Sequence, residues 1–301
     1  MCENFILYDC DTGSDDAIAL MMLLGQSHKA KAVGITCVGG NTKLDNVVMN
    51  NLRILKLYNQ LGNIPVYKGC PDPLISIHPS QKKSASNVHG DDGMGGQPDF
   101  YPEASHNLLD FLEEDHAVNG IIELSKQYAG KLKIVATGPL TNLALAVKLD
   151  PDLPNRLDAL YVMGGTRYAR GNWTPAAEFN FCIDPEAAFI TLDSFSPKCP
   201  THLINYEYTL DNPLPWHLFD DLFAGKQNDR KKFACMVTNQ LNKFSRNKGR
   251  DGSDGMVFCD VYAMSIALDS SIGLKPKQIK VTIELGGHHA RGQVIICKSN
   301  I

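Results

Sequence analysis

The chain has 301 residues, 44% of them hydrophobic and 21% charged, with a formal net charge of −4 and a pI near 6.1. That apolar fraction suffices to bury a core and excludes wholesale disorder, while the slight acidity excludes a basic nucleic-acid footprint and a polybasic membrane signal. The opening MCENFILYDCDTG has no basic leader, and no run reaches about 18 apolar residues, so neither a secretion signal nor a membrane segment is expected.

In chain order, a buried strand is predicted over residues 4–8, an acid-headed helix over 15–24 and a β-branched strand over 32–38. Strand, helix and strand at this spacing imply a parallel pair with a right-handed crossover. The rhythm continues with a helix over 44–57, a strand over 64–67, a helix over 117–128, a strand over 132–136 and a helix over 140–148. A strand over 159–163, a helix after Asp184 and a strand over 201–205 follow. The expected fold is α/β, with a mainly parallel central sheet flanked by helices. Two stretches break the pattern. Residues 69–107, rich in Gly, Pro, Ser, Asn and Asp, read as a long functional loop, and residues 246–257 as a second flexible stretch. With neither a linker nor a fixed-period repeat, residues 1–301 read as one domain.

Nine cysteines is an odd number, and none falls in a CxxC pair. A zinc ribbon and a complete disulfide framework are therefore not expected, and the setting reads as reducing and cytoplasmic. Cys10, Cys37 and Cys297 lie in apolar runs and read as small core residues.

The chemistry concentrates in YDCDTGSDDAIAL, where Asp9, Asp11, Asp15 and Asp16 place four carboxylates within eight residues between a strand and a helix. Sites in open α/β sheets form beyond the carboxyl ends of strands, where this cluster falls. Asp15 and Asp16 could simply complement the helix dipole while Asp9 and Asp11 face water. Four crowded like charges nevertheless favour a hard divalent cation held by oxygens. Three more corners aim at the same side: VATGPLTNLAL with Thr137, VMGGTRYARGNWTPAAEFNFCIDPEAA with Asn172, Glu178 and Asn180, and VFCDVYAMSIALD with Asp260. Polar residues threaded through an apolar stretch need partners when buried, and a polyhydroxylated ligand such as a sugar supplies them. For Asp260 an N-cap role and a ligand role weigh equally.

DCDTGSDDAIAL is similar to the N-terminal aspartate motif of the inosine–uridine-preferring nucleoside hydrolases. NVHGDDGMG, ATGPLTNLALA and the VMGG…GN…TPAAEFN…DPEAA segment resemble further motifs of that family, from about residue 5 to about residue 295. The resemblance implies a Rossmann-like nucleoside hydrolase fold, one bound Ca²⁺ and hydrolysis of ribonucleosides to base and ribose, in a homo-oligomer (dimer or tetramer) serving nucleoside salvage. By motif position, Asp11 corresponds to a general base that also touches calcium. Asp16 and Asp260 would be further ligands, with the backbone carbonyl of Thr137. Asp15 and Asn41 would hold the ribose 2′- and 3′-hydroxyls. Asn172, Glu178 and Asn180 would bind the 3′ and 5′ side, with the Met163 backbone nearby, and His89 would approach the 5′-hydroxyl on a closing lid over about residues 78–97. The implied reaction passes through an oxocarbenium-like state, which a carboxylate floor stabilises while Asp11 takes a proton from a calcium-bound water.

The chain departs from the pattern at Cys259, where many members carry a histidine that protonates the departing base. Two roles are open to it: a replacement acid, or a bystander with the base activated by water, stacking or His89; a thiol's weak donor strength favours the second. Trp173, Trp216 and Phe244 are candidate base platforms, with core packing the commoner role for such aromatics. The chain reaches Ile301 soon after GQVIICKSNI, where family members continue, so a weakened last sheet edge is expected. Two rival readings stand beside this one. DCDT loosely resembles the DxD start of haloacid-dehalogenase-like phosphotransferases, which would leave GPLTN and AEFN unexplained. A catalytically impaired nucleoside or ribose sensor is the other.

Overall fold

The computed structural model describes residues 4–75, 85–96, 106–248, 254–273 and 276–297. Its centre is a seven-stranded, all-parallel sheet in the order β4-β3-β2-β1-β5-β6-β7. The strands are β1 (Phe5–Cys10), β2 (Lys31–Cys37), β3 (Val66–Lys68), β4 (Leu112–Glu113), β5 (Leu132–Ala136), β6 (Leu157–Met163) and β7 (Thr201–Ile204). The chain steps outward from β1 to β4, then returns to place β5 against the free side of β1. Neighbouring strands thus send their connections to opposite faces at β1 and β5, the switch point where open α/β sheets build sites.

Both faces of the sheet are buried, so the strands read as continuous apolar runs and successive residues feed two cores. On β1, Ile6, Tyr8 and Cys10 enter one core while Leu7 enters the other; on β5, Val135 and Ile134 divide the same way. The first core is closed by α1 (Ser14–Gly25), α2 (Leu44–Leu57), α10 (Asp229–Lys248) and α11 (Cys259–Leu268). The second lies under α4 (Ala117–Gln127), α5 (Thr141–Leu149) and α7 (Pro185–Phe195). Three short helices, α3 (Ser86–His89), α6 (Phe179–Ile183) and α8 (Tyr206–Asp211), sit in loops at the carboxyl ends of the strands, and α9 (Trp216–Phe223) packs near α10. No described helix is long and apolar enough to cross a membrane.

Several expectations change. The stretch expected to be flexible over 246–257 is helical to Lys248 at its start, and near its end Gly255–Met256 form β9, paired antiparallel with β8 (Leu214–Pro215); residues 249–253 lie outside the described residues. The long loop over 69–107 contains α3 and a tight turn to residue 96, with 76–84 and 97–105 outside the described residues; of the expected lid over about 78–97, residues 78–84 and 97 fall there. The C-terminal strand β11 (Val294–Cys297) is not an edge of the main sheet: it pairs only with β10 (Lys280–Ile283), and the sheet ends on β4 and β7. Cys297 is half-buried rather than core, because it ends that exposed two-stranded ribbon, whereas Cys10 and Cys37 face each other, fully buried, across β1 and β2. Among the described residues no disulfide forms.

Candidate active site

Where β1 ends, the chain turns through Asp11–Gly13 into α1. Neither Asp9 nor Asp11 faces water; both are fully buried, because the turn is covered from the β2 and β5 sides. Asp9 braces the sheet. Its Oδ1 accepts from Thr36 Oγ1 at 2.6 Å and from Asn142 Nδ2 at 2.9 Å, and burial lifts its carboxyl to about 6. Asp11 is gripped by one residue: Asn41 donates its backbone N–H to Oδ2 at 2.7 Å and its Nδ2 to Oδ1 at 3.1 Å. Burial and the neighbouring Asp16 raise Asp11 well above the usual carboxylate range.

Asp16 serves two purposes at once. As the third residue of α1 it accepts from the Gly13 N–H at 2.8 Å, capping the helix, and its Oδ1 accepts from the Thr137 hydroxyl at 2.7 Å. Asn41 Nδ2 reaches the same carboxylate at 3.2 Å, linking Asp11 to Asp16. Desolvation and then Asp15 push Asp16 up to about 6. Asp260, in the first turn of α11, is buried and raised by desolvation and then by Asp15 and Asp16. Oxygens of Asp15, Asp16 and Asp260 lie within 4.8 Å of one another.

Among the described residues no lysine or arginine forms an ion pair with these acids; the nearby basic group is His89, with Nδ1 3.9 Å from Asp15 Oδ1. That nitrogen accepts the Ser14 N–H at 3.1 Å, so it carries no proton and the histidine is the Nε2–H tautomer. His89 therefore leaves the carboxylate charge uncompensated. Three buried carboxylates offering only oxygen, with no cationic side chain to balance them, fit a hard divalent ion. Of the expected ligands, Asp16 and Asp260 belong to this triad and Asp15 joins them; Asp11 stands beside it, held by Asn41. Thr137 contacts the site through its hydroxyl, while its carbonyl accepts Asn180 Nδ2 at 2.7 Å.

Close packing explains the glycines here. A Cβ on Gly40 would lie 2.1 Å from Asp11 Oδ2, and one on Gly138 3.1 Å from the Asp11 backbone N.

The far wall comes from β6 and α6. Glu178 caps α6 and is buried; Oε1 accepts from Asn180 N at 2.9 Å and Oε2 from Gly165 N at 2.8 Å. Burial lifts it to about 7. Asn180 also donates to the Met163 carbonyl at 3.2 Å, so Thr137 and Met163, on adjacent strands, share one amide. Asn172 is set apart: it is exposed, with Oδ1 taken by the Phe179 N–H at 2.8 Å.

Cys259 begins α11 and is buried. Its sulfur lies 3.6 Å from Thr209 Oγ1. The same Thr209 hydroxyl donates to the Tyr206 carbonyl at 2.8 Å, which leaves its oxygen able to accept from the thiol. Of the candidate aromatics, Trp173 packs edge-on against Phe179 at 4.9 Å, and Trp216 carries the Arg246 guanidinium 4.1 Å over its ring.

Sequence reasoning passed over Asn50, Asn51 and Asn142, three buried amides that hold the loops in place. The signal was present for the first two, since adjacent asparagines interrupt the apolar stripe of α2 (VVMNNLRIL).

A parallel α/β sheet with a buried, oxygen-rich acid cluster at its switch point is the arrangement in which doubly wound proteins bind small ligands. The profile of the inosine-uridine preferring nucleoside hydrolases matches residues 6–300, and the chain belongs to that family. It is 40% identical over 198 residues to the pyrimidine-specific ribonucleoside hydrolase RihB of Escherichia coli O157:H7 (strain EC4115 / EHEC), a match over 65% of this chain. That match spans 58% of the length of the relative. A solved inosine-guanosine nucleoside hydrolase superposes with a TM-score of 0.87 at 30% identity, covering 99% of this chain and 89% of the other. For a purine-preferring ribonucleoside hydrolase from Gardnerella vaginalis the TM-score is 0.81 at 27% identity, with coverage of 98% and 89%. The names of these relatives divide between pyrimidine and purine.

Proposed function

We propose that the protein hydrolyses the N-glycosidic bond of ribonucleosides to free base and ribose. The observation that carries this reading is the buried acid cluster Asp11, Asp15, Asp16 and Asp260 at the β1/β5 switch point of a chain in this family. Cleavage of such a bond builds positive charge on the pentose, and preset carboxylates in a water-poor pocket stabilise that charge.

In this reading Asp11 is the general base. The two-point grip of Asn41 fixes the plane of its carboxylate beside the acid triad, which suits it to take a proton from an attacking water. Asp15 and Asn41 face the ribose hydroxyls, and His89, an N–H donor through Nε2, suits a sugar oxygen. Glu178 and Asn180 shape the opposite wall, with Met163 and Thr137 between them. Asp15, Asp16 and Asp260 would hold a divalent cation, which we take to be calcium because every donor is a hard oxygen. When bound, it supplies positive charge that balances the acids, orients hydroxyl oxygens and acidifies water. Cys259 stands as a bystander to leaving-base activation, because a thiol is a weak donor and its sulfur lies beside Thr209 Oγ1.

A reducing-sugar assay on inosine, adenosine, uridine and cytidine, with and without a calcium chelator, tests the proposal. Ribose release that the chelator abolishes is expected, and the four rates give the base preference. Phosphate release from phosphate esters with no ribose from any nucleoside would replace the reading with a phosphatase. Calcium-dependent ribose binding without turnover would replace it with a sensor.

A further inference from the structure

Asn50 lies in the middle of α2, fully buried, well away from the carboxylate triad in sequence. Its Nδ2 donates to two carbonyls that belong to different parts of the site: Asp92 O at 2.8 Å and Thr12 O at 3.4 Å. Thr12 is the residue between Asp11 and Gly13 in the acidic turn, and Asp92 follows His89 in the neighbouring segment. The next side chain, Asn51, completes the grip on the turn by donating to Thr12 Oγ1 at 2.8 Å. A buried carbonyl without a donor is costly, so each of these bonds constrains the backbone that carries it.

The two segments meet at a second point. His89 Nδ1 accepts from the N–H of Ser14, on the far side of the same turn. Beside the Asn50 contact, Gly93 adopts a φ of +79°, and a Cβ there would lie 2.8 Å from Thr12 O and 3.3 Å from Asn50 Nδ2. The segment thus lies along the turn from Thr12 to Ser14, bracketing the stretch between the two acids Asp11 and Asp15. Other tethers miss the turn: Thr42 Oγ1 and Asn46 Nδ2 donate to Asp91 O at 2.8 and 3.4 Å, and Gln240 Nε2 to Ser86 O at 2.7 Å.

We propose that Asn50 is a positioning residue that makes the His89 segment and the Asp11 turn one mechanical unit, so that neither can be displaced without loosening the other. For catalysis this rests on the nucleoside hydrolase reading; the mechanical coupling does not, and it is tested without substrate.

Hydrogen exchange by mass spectrometry on the full chain separates the possibilities. Asn50→Ala should raise amide exchange at least about tenfold in both residues 9–17 and residues 86–96, while residues 132–149 stay at the wild-type rate and report intact packing elsewhere. Thr42→Val removes a tether of the same segment without touching Thr12, and should raise exchange in 86–96 alone. Should Asn50→Ala not fold, Asn50→Asp keeps the shape, lacks the donor and should give the same two-segment pattern. Exchange that rises in 86–96 only, in whichever Asn50 variant folds, overturns the proposal. In nucleoside turnover, Asn50→Ala should lower kcat about tenfold and raise KM, whereas Thr42→Val should leave kcat within about twofold. Equal kcat in the two variants would also overturn it. If the wild type turns over no nucleoside, the function fails while the exchange experiment still decides the coupling.

Discussion

Asp15 and Cys259 are 244 positions apart, yet the Cys259 backbone N–H donates to Asp15 Oδ2 at 3.1 Å. The contact joins the start of α1 to the start of α11 and brings Asp260, the next residue, to the carboxylates. This bond comes from the main chain at position 259, so a serine there retains it.

A serine at 259 should therefore serve almost as well as the native cysteine. Cys259→Ser keeps the backbone bond and can donate to Thr209 Oγ1 in place of the thiol. We expect nucleoside turnover within about tenfold of wild type. Were the thiol the acid that protonates the leaving base, the loss would exceed about a hundredfold. Steady-state kcat on the preferred nucleoside decides between them.

Asp11 owes its place to the absence of a side chain at position 40. A methyl on Gly40 would stand 2.1 Å from Asp11 Oδ2 and has no flexible neighbour to displace but the carboxylate itself. Gly40→Ala should cost about 1–3 kcal/mol of stability by overpacking. It should also lower kcat by roughly a hundredfold by turning the base out of its Asn41 grip. Circular dichroism and a melting curve confirm the fold, and wild-type turnover in the folded variant would show that this close approach does not set the base.

Much of this was legible in the sequence. The helix over 44–57 and the strand over 132–136 appear with the expected ends, because long apolar periodicity leaves little ambiguity. The acid cluster was legible because like charges so close in sequence demand compensation wherever they fold. Asn172 illustrates the opposite case. Its motif placed it with Glu178 and Asn180; in the fold it is exposed and its Oδ1 accepts the Phe179 N–H, a local contact that spacing alone does not foretell. Asn142 was missed for a related reason. Its partners Asp9, Cys37 and Cys70 come from three other loops or strands, and no local pattern announces a contact spread over 133 positions. The ribbon of β10 and β11 escaped because a four-residue strand at the chain's edge has too few residues to show a period.

Calcium removal should destabilise the fold in a pH-dependent way. At a hundredfold excess over Kd, a ligand that binds only the native state adds about 2.7 kcal/mol, for a chain of 301 residues a Tm shift of roughly 4 °C. Without the ion, Asp16 sits at about 6, above its ordinary 3.8, so the stability it contributes is present below 3.8 and lost as the pH rises through 6. Ligation needs the ionised form, so protons compete with calcium at acid pH. Melting curves with calcium and with chelator should differ most at pH 7 and converge towards pH 5. A gap that is the same at both would detach the stabilisation from these carboxylates.

Glu178 offers a separate pH signature, independent of the metal. Burial raises it from its ordinary 4.5 to about 7, despite the backbone N–H groups of Asn180, Gly165 and Phe181 that favour the charged form. Below 4.5 the carboxyl is neutral in both folded and unfolded chains and its contribution is complete. Between 4.5 and 7 the unfolded chain ionises first, so stability falls, by on the order of 3 kcal/mol over the whole window. Glu178→Gln cannot ionise, and although it gives up one backbone bond at every pH, it removes this slope. Urea titrations of both proteins at pH 5, 6 and 7, each at the same saturating calcium concentration, isolate the effect. The variant should be the less stable protein at pH 5 and should close the gap, or reverse it, by pH 7. A constant difference across the three pH values would mean that Glu178 is already ionised in the folded protein at pH 5, and that its backbone donors outweigh its burial.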